Sequence, residues 1–147
     1  MAGLQQNAHG KAPEAPWGLH LIADTTSEAR QEGVAVDIIA VHGLGANPDH
    51  AWVRHKDIHY GQDKDVRWLT DLLPKTFRDF QPSISARIFC FNYQSAWLGP
   101  QLSRNRLESV ATRLLDDMRN RKLASSDRPI IFIGHSFGGL VIEQAVV

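Results

Sequence analysis

Residues 134–138 read Gly-His-Ser-Phe-Gly, a G-x-S-x-G pattern centred on Ser136. The pattern follows an apolar run at residues 129–133 and precedes a second apolar run at residues 140–147. That order of strand, turn and helix is typical of a nucleophile elbow, in which a strained turn lifts a serine hydroxyl out of a sheet. Ser136 is therefore the candidate nucleophile for attack on an acyl carbon.

The residues next to Ser136 have separate expected roles. Gly134 and Gly138 are expected to leave room for a close backbone approach, and Gly139 to help the following helix pack against the strand. His135 is not expected to act as the base, because neighbouring side chains on an elbow point apart. The N-terminus of the following helix directs partial positive charge toward a developing oxyanion.

A second candidate segment follows the apolar run at residues 36–41 and reads His42-Gly43-Leu44-Gly45. An HG-type loop after an early strand supplies one backbone N–H of an oxyanion hole. We assign the two donors to Leu44 and to Phe137, the residue after the candidate nucleophile. His42 is interpreted as structural, since its hydrogen bonds would hold this loop.

Other reactive residue types are given ordinary structural interpretations. His50, His55 and His59 lie in a polar segment without acidic or cysteine partners at ligand spacing, so solvated loop residues are expected rather than a metal site. Cys90 lies inside an apolar run and is interpreted as a small buried hydrophobe. No metal or cofactor is implied.

The apolar patterns predict the elements that must position these residues. Runs rich in β-branched and aromatic residues predict buried strands at residues 36–41, 87–93 and 129–133, with a short edge strand at residues 18–23. Helical periodicity predicts helices at residues 68–80, where Pro74 should kink or end the helix, and at residues 104–122. Strands alternating with helices predict an α/β fold with a mostly parallel sheet and helices on both faces.

Composition excludes several classes of protein. The 147 residues include 16 basic and 16 acidic side chains, and this zero balance gives no support for nucleic-acid binding. No apolar run approaches the roughly 20 residues that a transmembrane helix needs. Residues 1–16 are polar, lack a signal-peptide core and predict a flexible leader before a domain at residues 17–147. A single cysteine allows no internal disulfide, so an intracellular, cytoplasmic location is the default expectation.

Four segments resemble the serine esterase and lipase-like α/β-hydrolases: HGLGANPDHAW at residues 42–52, WLTDLLPK at 68–75, FNY at 91–93 and RPIIFIGHSFGGLVIEQAV at 128–146. The chain most resembles the group that contains serine-active-site-containing proteins and the N-terminal hydrolase domains of fungal NACHT- or ankyrin-type receptors. The resemblance covers residues 34–147. It implies a partial α/β-hydrolase fold that hydrolyses an ester of a lipid or small acyl compound through an acyl-serine. It also implies mitochondrial or endoplasmic-reticulum association as an alternative location.

The resemblance also implies a catalytic acid and a histidine after the serine. Only 11 residues follow Ser136; Glu143 is their only acid, and none of them is a histidine. We therefore expect a truncated domain with little or no hydrolase activity, and an exposed edge at the strand of residues 130–133 that invites self-association. The alternative is a non-catalytic N-terminal signalling or interaction module of a fungal NACHT- or ankyrin-type receptor.

Overall fold

The computed structural model of the chain describes residues 17–28, 33–57, 59, 61–80, 82–95 and 104–147. The leader predicted at residues 1–16 lies outside this described part. The strands found in it are, in chain order, β1 (Gly18–Asp24), β2 (Val34–Val41), β3 (Val53–Arg54), β4 (Val66–Arg67), β5 (Ile84–Asn92) and β6 (Ile130–Gly134).

Four of these strands form one sheet in the order β1-β5-β2-β6. β2 runs parallel to both of its neighbours, β5 and β6, whereas β1 pairs antiparallel with β5 at the edge. The short strands β3 and β4 pair separately as an antiparallel ribbon. The predicted mostly parallel sheet is therefore confirmed.

The predicted strands exist with shifted ends. Each boundary differs by at most three residues from the expected run, the largest shift being the start of β5 at Ile84 rather than at residue 87. β3 and β4 were not predicted, because a two-residue strand has too few positions to show alternation. A 3₁₀ turn, Thr26–Glu28, follows β1.

Three α-helices lie in the described ranges: α1 (Leu73–Asp79), α2 (Arg104–Asn120) and α3 (Phe137–Val146). Pro74 does not end the helix: it lies in the first turn of α1, directly after a π-helical turn, Trp68–Leu72. A proline is tolerated there, since N–H groups of the first turn have no intrahelical acceptor. None of the helices in the described part combines the length and the apolarity needed to cross a bilayer.

The sheet is covered on both faces, as expected for an α/β fold. Alternate residues of β2 point to opposite sides, so Ile39 and Val41 face α2 and α3 while Ile38 and Ala40 face the π turn and α1. Both sets are buried. The parallel sheet therefore lies between two apolar layers, which leaves the carboxyl ends of its strands as the place where loops can meet.

A buried carboxylate fixes the register of the three parallel strands. Asp37 in β2 has no solvent exposure and accepts hydrogen bonds from Arg87 Nε and Nη2 at 2.7 and 2.6 Å and from Arg128 Nε at 2.9 Å. The apolar pattern of the sequence did not predict this ion cluster. Asp37 lies opposite Arg87 of β5 and Ile130 of β6. The same register places Val41 opposite Gly134 at the carboxyl ends of β2 and β6.

β6 forms one edge of the sheet in the described part of the chain, because only β2 pairs with it. Ile131 of this strand is 47% exposed, and Leu140 and Val146 of α3 are exposed nearby in sequence. The expectation of an apolar edge is therefore confirmed for the described residues, while self-association through it stays a prediction.

Candidate active site

Ser136 lies between the end of β6 and the start of α3, in a strained backbone conformation. Its φ is 54° and its ψ is −123°, a combination that is costly for a residue with a side chain. Hydrogen bonds close the turn: Gly138 N donates to His135 O at 3.0 Å, and Gly139 N donates to Ser136 O at 2.9 Å. Ser136 is exposed, so the turn presents its side chain to solvent.

Two glycines of the turn lie where a side chain would collide with backbone. A Cβ added to Gly138 would lie 2.1 Å from Val41 O, and one added to Gly134 would lie 2.7 Å from Gly139 Cα. A Cβ added to Gly139 would meet nothing within 4 Å. The close backbone approach expected at Gly134 and Gly138 is therefore present. Gly139 takes part through its backbone, which lies against Gly134, and has room for a side chain of its own.

The loop after β2 packs directly against this turn. A Cβ built on Gly43 would lie 3.1 Å from Ser136 Cβ and 3.0 Å from His135 O, so only a glycine fits at this contact without displacement. His135 N also donates to Val41 O at 3.0 Å. The structure therefore brings together the two segments that the sequence singled out separately, residues 42–45 and residues 134–139.

The two assigned oxyanion donors, Leu44 and Phe137, have backbone N–H groups without a hydrogen-bond partner among the described residues. Within the described ranges, Leu44 N donates no hydrogen bond to another residue. Phe137 is the first residue of α3, so its N–H has no intrahelical acceptor. Both residues adjoin the contact between Gly43 and Ser136. Two amides without a hydrogen-bond partner and a helix N-terminus therefore lie next to this contact in the chain.

His42 is held in a fixed orientation and is buried. Its Nδ1 lies 3.0 Å from Gly43 O, which can only accept, so this nitrogen carries the proton. Its Nε2 accepts from Tyr93 N at 3.4 Å, and its ring stacks on the Tyr93 ring with centroids 4.4 Å apart. Because both ring nitrogens face backbone groups, His42 supports the loop and has no nitrogen left to act as a base for Ser136.

Burial lowers the pKa of His42 below its ordinary value of 6.5, and this makes stability depend on pH. Below about pH 6.5 the unfolded chain takes up a proton that the folded chain resists, so the folded state loses free energy relative to the unfolded state as the pH falls. We expect the free energy of unfolding to fall between about pH 7.5 and 5.5, and this slope to be shallower in His42→Asn.

Urea denaturation followed by circular dichroism measures this slope. His59→Asn removes an exposed histidine and serves as the control for the substitution itself. An equal slope in the His42→Asn variant would contradict the buried, neutral state assigned to His42.

Neither His135 nor Glu143 supplies a base for Ser136. His135 is exposed, and no hydrogen bond joins its ring to the Ser136 hydroxyl. Glu143 is exposed on α3. Within the described residues, the Ser136 side chain makes no hydrogen bond that caps α3. The described residues thus contain no assembled triad around Ser136.

No family model, curated protein or solved structure matches this chain. The resemblance to the α/β-hydrolases therefore stays a prediction.

Sequence reasoning missed two residues that border this site. Tyr93 Oη donates to His42 O at 2.7 Å, and Ser95 Oγ donates to Ala46 O at 2.7 Å. Gly45 N donates to Ser95 O at 2.6 Å as well. The available signal was the position of Tyr93 at the end of a strand that runs parallel to β2, since parallel strands end at the same edge of a sheet.

The remaining reactive side chains are not part of this site. Among the described residues, no cluster of three or more possible ligands could hold a metal ion. His50 and His55 lie in the segment after the 42–45 loop, and His55 contacts Asp65 at 3.4 Å. Cys90 is buried in β5, and burial raises the pKa of its thiol to about 12, so it is not a nucleophile at neutral pH.

Among the cavities that described residues line, two lie beside the sheet without contact to Ser136. One, of about 350 Å³, has an apolar wall that includes Trp52, Leu69 and Cys90. The other, of about 410 Å³, lies between the end of β5 and α2, with Arg106 and Arg113 in its wall. Neither cavity therefore places a substrate against the candidate nucleophile.

Proposed function

We propose that this chain carries the nucleophile and oxyanion elements of a serine ester hydrolase with a partial α/β-hydrolase fold. The observation that carries the proposal is the strained Ser136 turn packed against the Gly43 loop, with an ideal Cβ at Gly43 only 3.1 Å from Ser136 Cβ. A sequence that placed G-x-S-x-G by chance would have no reason to set the serine at positive φ beside a glycine loop. The proposed substrates are esters of lipids or small acyl compounds.

In the proposed reaction, Ser136 Oγ attacks the ester carbonyl carbon and its proton passes to a base. The carbonyl oxygen becomes an oxyanion that accepts hydrogen bonds from the N–H groups of Leu44 and Phe137. Collapse of the tetrahedral intermediate breaks the bond to the alcohol, which leaves with a proton and gives an acyl-serine. Water then hydrolyses the acyl-serine to a carboxylic acid and restores the Ser136 hydroxyl.

The base is the missing part of this scheme. No described side chain is placed to take the proton from Ser136, so we expect this 147-residue chain alone to hydrolyse esters slowly or not at all. In a serine protease, loss of the triad histidine lowers kcat by about 10⁶-fold, whereas the oxyanion hole and binding alone retain about 10³–10⁴-fold over water. The proposal therefore predicts that Ser136 reacts slowly, but faster than the other serines, and that the chain is not an efficient enzyme.

Labelling with a fluorophosphonate probe, read by intact mass and peptide mapping, tests the proposal. We expect slow labelling at Ser136, at least about 10³-fold faster than at serines without an oxyanion hole, and its loss in Ser136→Ala. Ser125→Ala is the matched control, because Ser125 is an exposed serine in the turn after α2. Labelling spread over several serines, or unchanged labelling in Ser136→Ala, would rule the proposal out.

A second candidate function is the non-catalytic interaction module of a fungal NACHT- or ankyrin-type receptor. It is favoured by the absence of a base at Ser136 within the described residues and by the exposed apolar edge at Ile131. Complete resistance of Ser136 to the probe in a folded chain would favour this function over hydrolysis.

A further inference from the structure

Tyr93 is the residue that contacts both halves of the candidate oxyanion site. It lies one residue beyond the end of β5, and β5 runs parallel to β2 in a register that pairs Phe91 with Val41. Tyr93 therefore reaches the same edge of the sheet as the loop at residues 42–45. Its side chain is only 4% exposed, so its contacts are fixed by packing.

The first half that Tyr93 contacts is the loop after β2. Its hydroxyl donates to His42 O at 2.7 Å, its backbone N–H donates to His42 Nε2 at 3.4 Å, and its ring lies parallel to the His42 ring at an interplanar angle of 2°. Three contacts to one residue fix both the peptide plane and the side chain of His42. The next peptide planes of the chain are those of Gly43 and Leu44.

The second half is the elbow itself. The Tyr93 ring lies 6.3 Å, centroid to centroid, from the ring of Phe137, the other assigned donor. The His42 carbonyl that Tyr93 binds also lies against the elbow, because a Cβ on Gly138 would be 2.7 Å from His42 O. The hydroxyl of Tyr93 thus binds the carbonyl at which the loop and the elbow meet.

Ser95 holds the far end of the same loop. Its carbonyl accepts from Gly45 N at 2.6 Å and its hydroxyl donates to Ala46 O at 2.7 Å. Leu44 therefore lies between two anchored points, His42 on one side and Gly45 with Ala46 on the other. An N–H anchored on both sides loses little free energy to reorganisation when an oxyanion forms, which is the condition for an effective oxyanion hole.

We propose that Tyr93, assisted by Ser95, is a positioning residue that holds Leu44 N–H in place for the oxyanion formed at Ser136. The proposal rests on the proposed function of Ser136. Burial raises the pKa of Tyr93, so its hydroxyl stays protonated and remains a donor to His42 O across the neutral and alkaline range.

Tyr93→Phe tests the proposal because it removes the hydroxyl and keeps the ring that stacks on His42. We expect fluorophosphonate labelling of Ser136 to slow about tenfold or more, part of the 10²- to 10³-fold effect of deleting an oxyanion donor outright. Hydrogen exchange at the Gly45 amide is expected to quicken in the same variant, since the loop loses one of its anchors.

Thr25→Val is the matched control for loss of a buried hydroxyl. Thr25 is also 4% exposed, and its hydroxyl donates to Ala86 O and accepts from Ala86 N far along the sheet from Ser136. We expect this variant to lose stability without a change in the labelling rate of Ser136. The proposal would be overturned if Tyr93→Phe and Thr25→Val slowed the labelling of Ser136 only in proportion to their loss of stability. It would also be overturned if neither variant changed the labelling rate.

Ser95→Ala keeps the proposal testable if Tyr93→Phe fails to fold, and Ser95→Thr should restore the rate by restoring the hydroxyl. If the wild-type chain is labelled at Ser136 and both Tyr93→Phe and Ser95→Ala are labelled at the wild-type rate, the positioning role alone is overturned. Wild-type chain that is not labelled at Ser136 would overturn the proposed function and this inference with it.

Discussion

Gly138→Ala is expected to lower the free energy of unfolding by about 3 kcal/mol or more, because overpacking against fixed backbone has no flexible side chain to absorb it. The added Cβ would lie 2.1 Å from Val41 O and 2.7 Å from His42 O, both backbone atoms. Relief of that overlap requires α3 to move away from the end of β2. The same movement would separate Ser136 from the Gly43 loop, so fluorophosphonate labelling should be lost in any fraction that folds.

Gly139→Ala is the matched control for this prediction. It makes the same chemical change one residue later in α3, where the new Cβ meets nothing within 4 Å. Alanine is favoured over glycine within a helix by up to about 1 kcal/mol, so this variant should be equally stable or more stable. Urea denaturation of both variants measures the difference, and similar losses at the two positions would show that the elbow does not have the packing described above.

Asp37→Ala is expected to lower the free energy of unfolding by about 3 kcal/mol, the lower end of the range for breaking a buried ion pair. The carboxylate is fully buried and accepts hydrogen bonds from Arg87 through both of its oxygens. Arg128 Nε donates to one of the same oxygens, Oδ1. Removal leaves two guanidinium groups without their counter-ion. The lower end of the range applies because the arginine side chains are 28% and 20% exposed and can regain some hydration.

Asp116→Ala provides the control for loss of a carboxylate alone. Asp116 pairs with Arg119 at 3.2 Å on α2, and both side chains are more than half exposed. A surface pair of this kind contributes between 0 and about 0.5 kcal/mol. If Asp37→Ala proves no more destabilising than Asp116→Ala in urea denaturation, the role of Asp37 in fixing the strand register is wrong.

The position of Ser136 followed from the sequence because every determinant of the elbow is local. An apolar strand, a glycine-flanked serine and an apolar helix occupy fewer than twenty consecutive residues, so their order alone specifies the turn. The HG loop was found in the same way, because its glycines directly follow an apolar run. That the two segments pack together required the pairing of β2 with β6; connection rules predicted parallel strands but not this strand order.

The ion cluster at Asp37 could not be found by local pattern. Asp37 stands within an apolar run, where a single polar residue reads as an outward-facing position. Its partners Arg87 and Arg128 are 50 and 91 residues away along the chain. Tyr93 is similar, since its contact with His42 spans 51 residues and exists only once β5 lies beside β2. Long-range polar pairs depend on which strands are neighbours and on their register, and a continuous apolar run in a strand buried on both faces lacks the alternation that would specify them.

The amide spectrum of the chain after phosphonylation of Ser136 tests most directly whether this serine lies beside an oxyanion hole. The phosphonyl oxygen would occupy the place of the oxyanion and accept hydrogen bonds from the two assigned donors. The amide protons of Leu44 and Phe137 should then show the largest downfield shifts in the ¹H–¹⁵N spectrum. A chain labelled at Ser136 in which these two resonances do not move, while others do, would contradict the assignment.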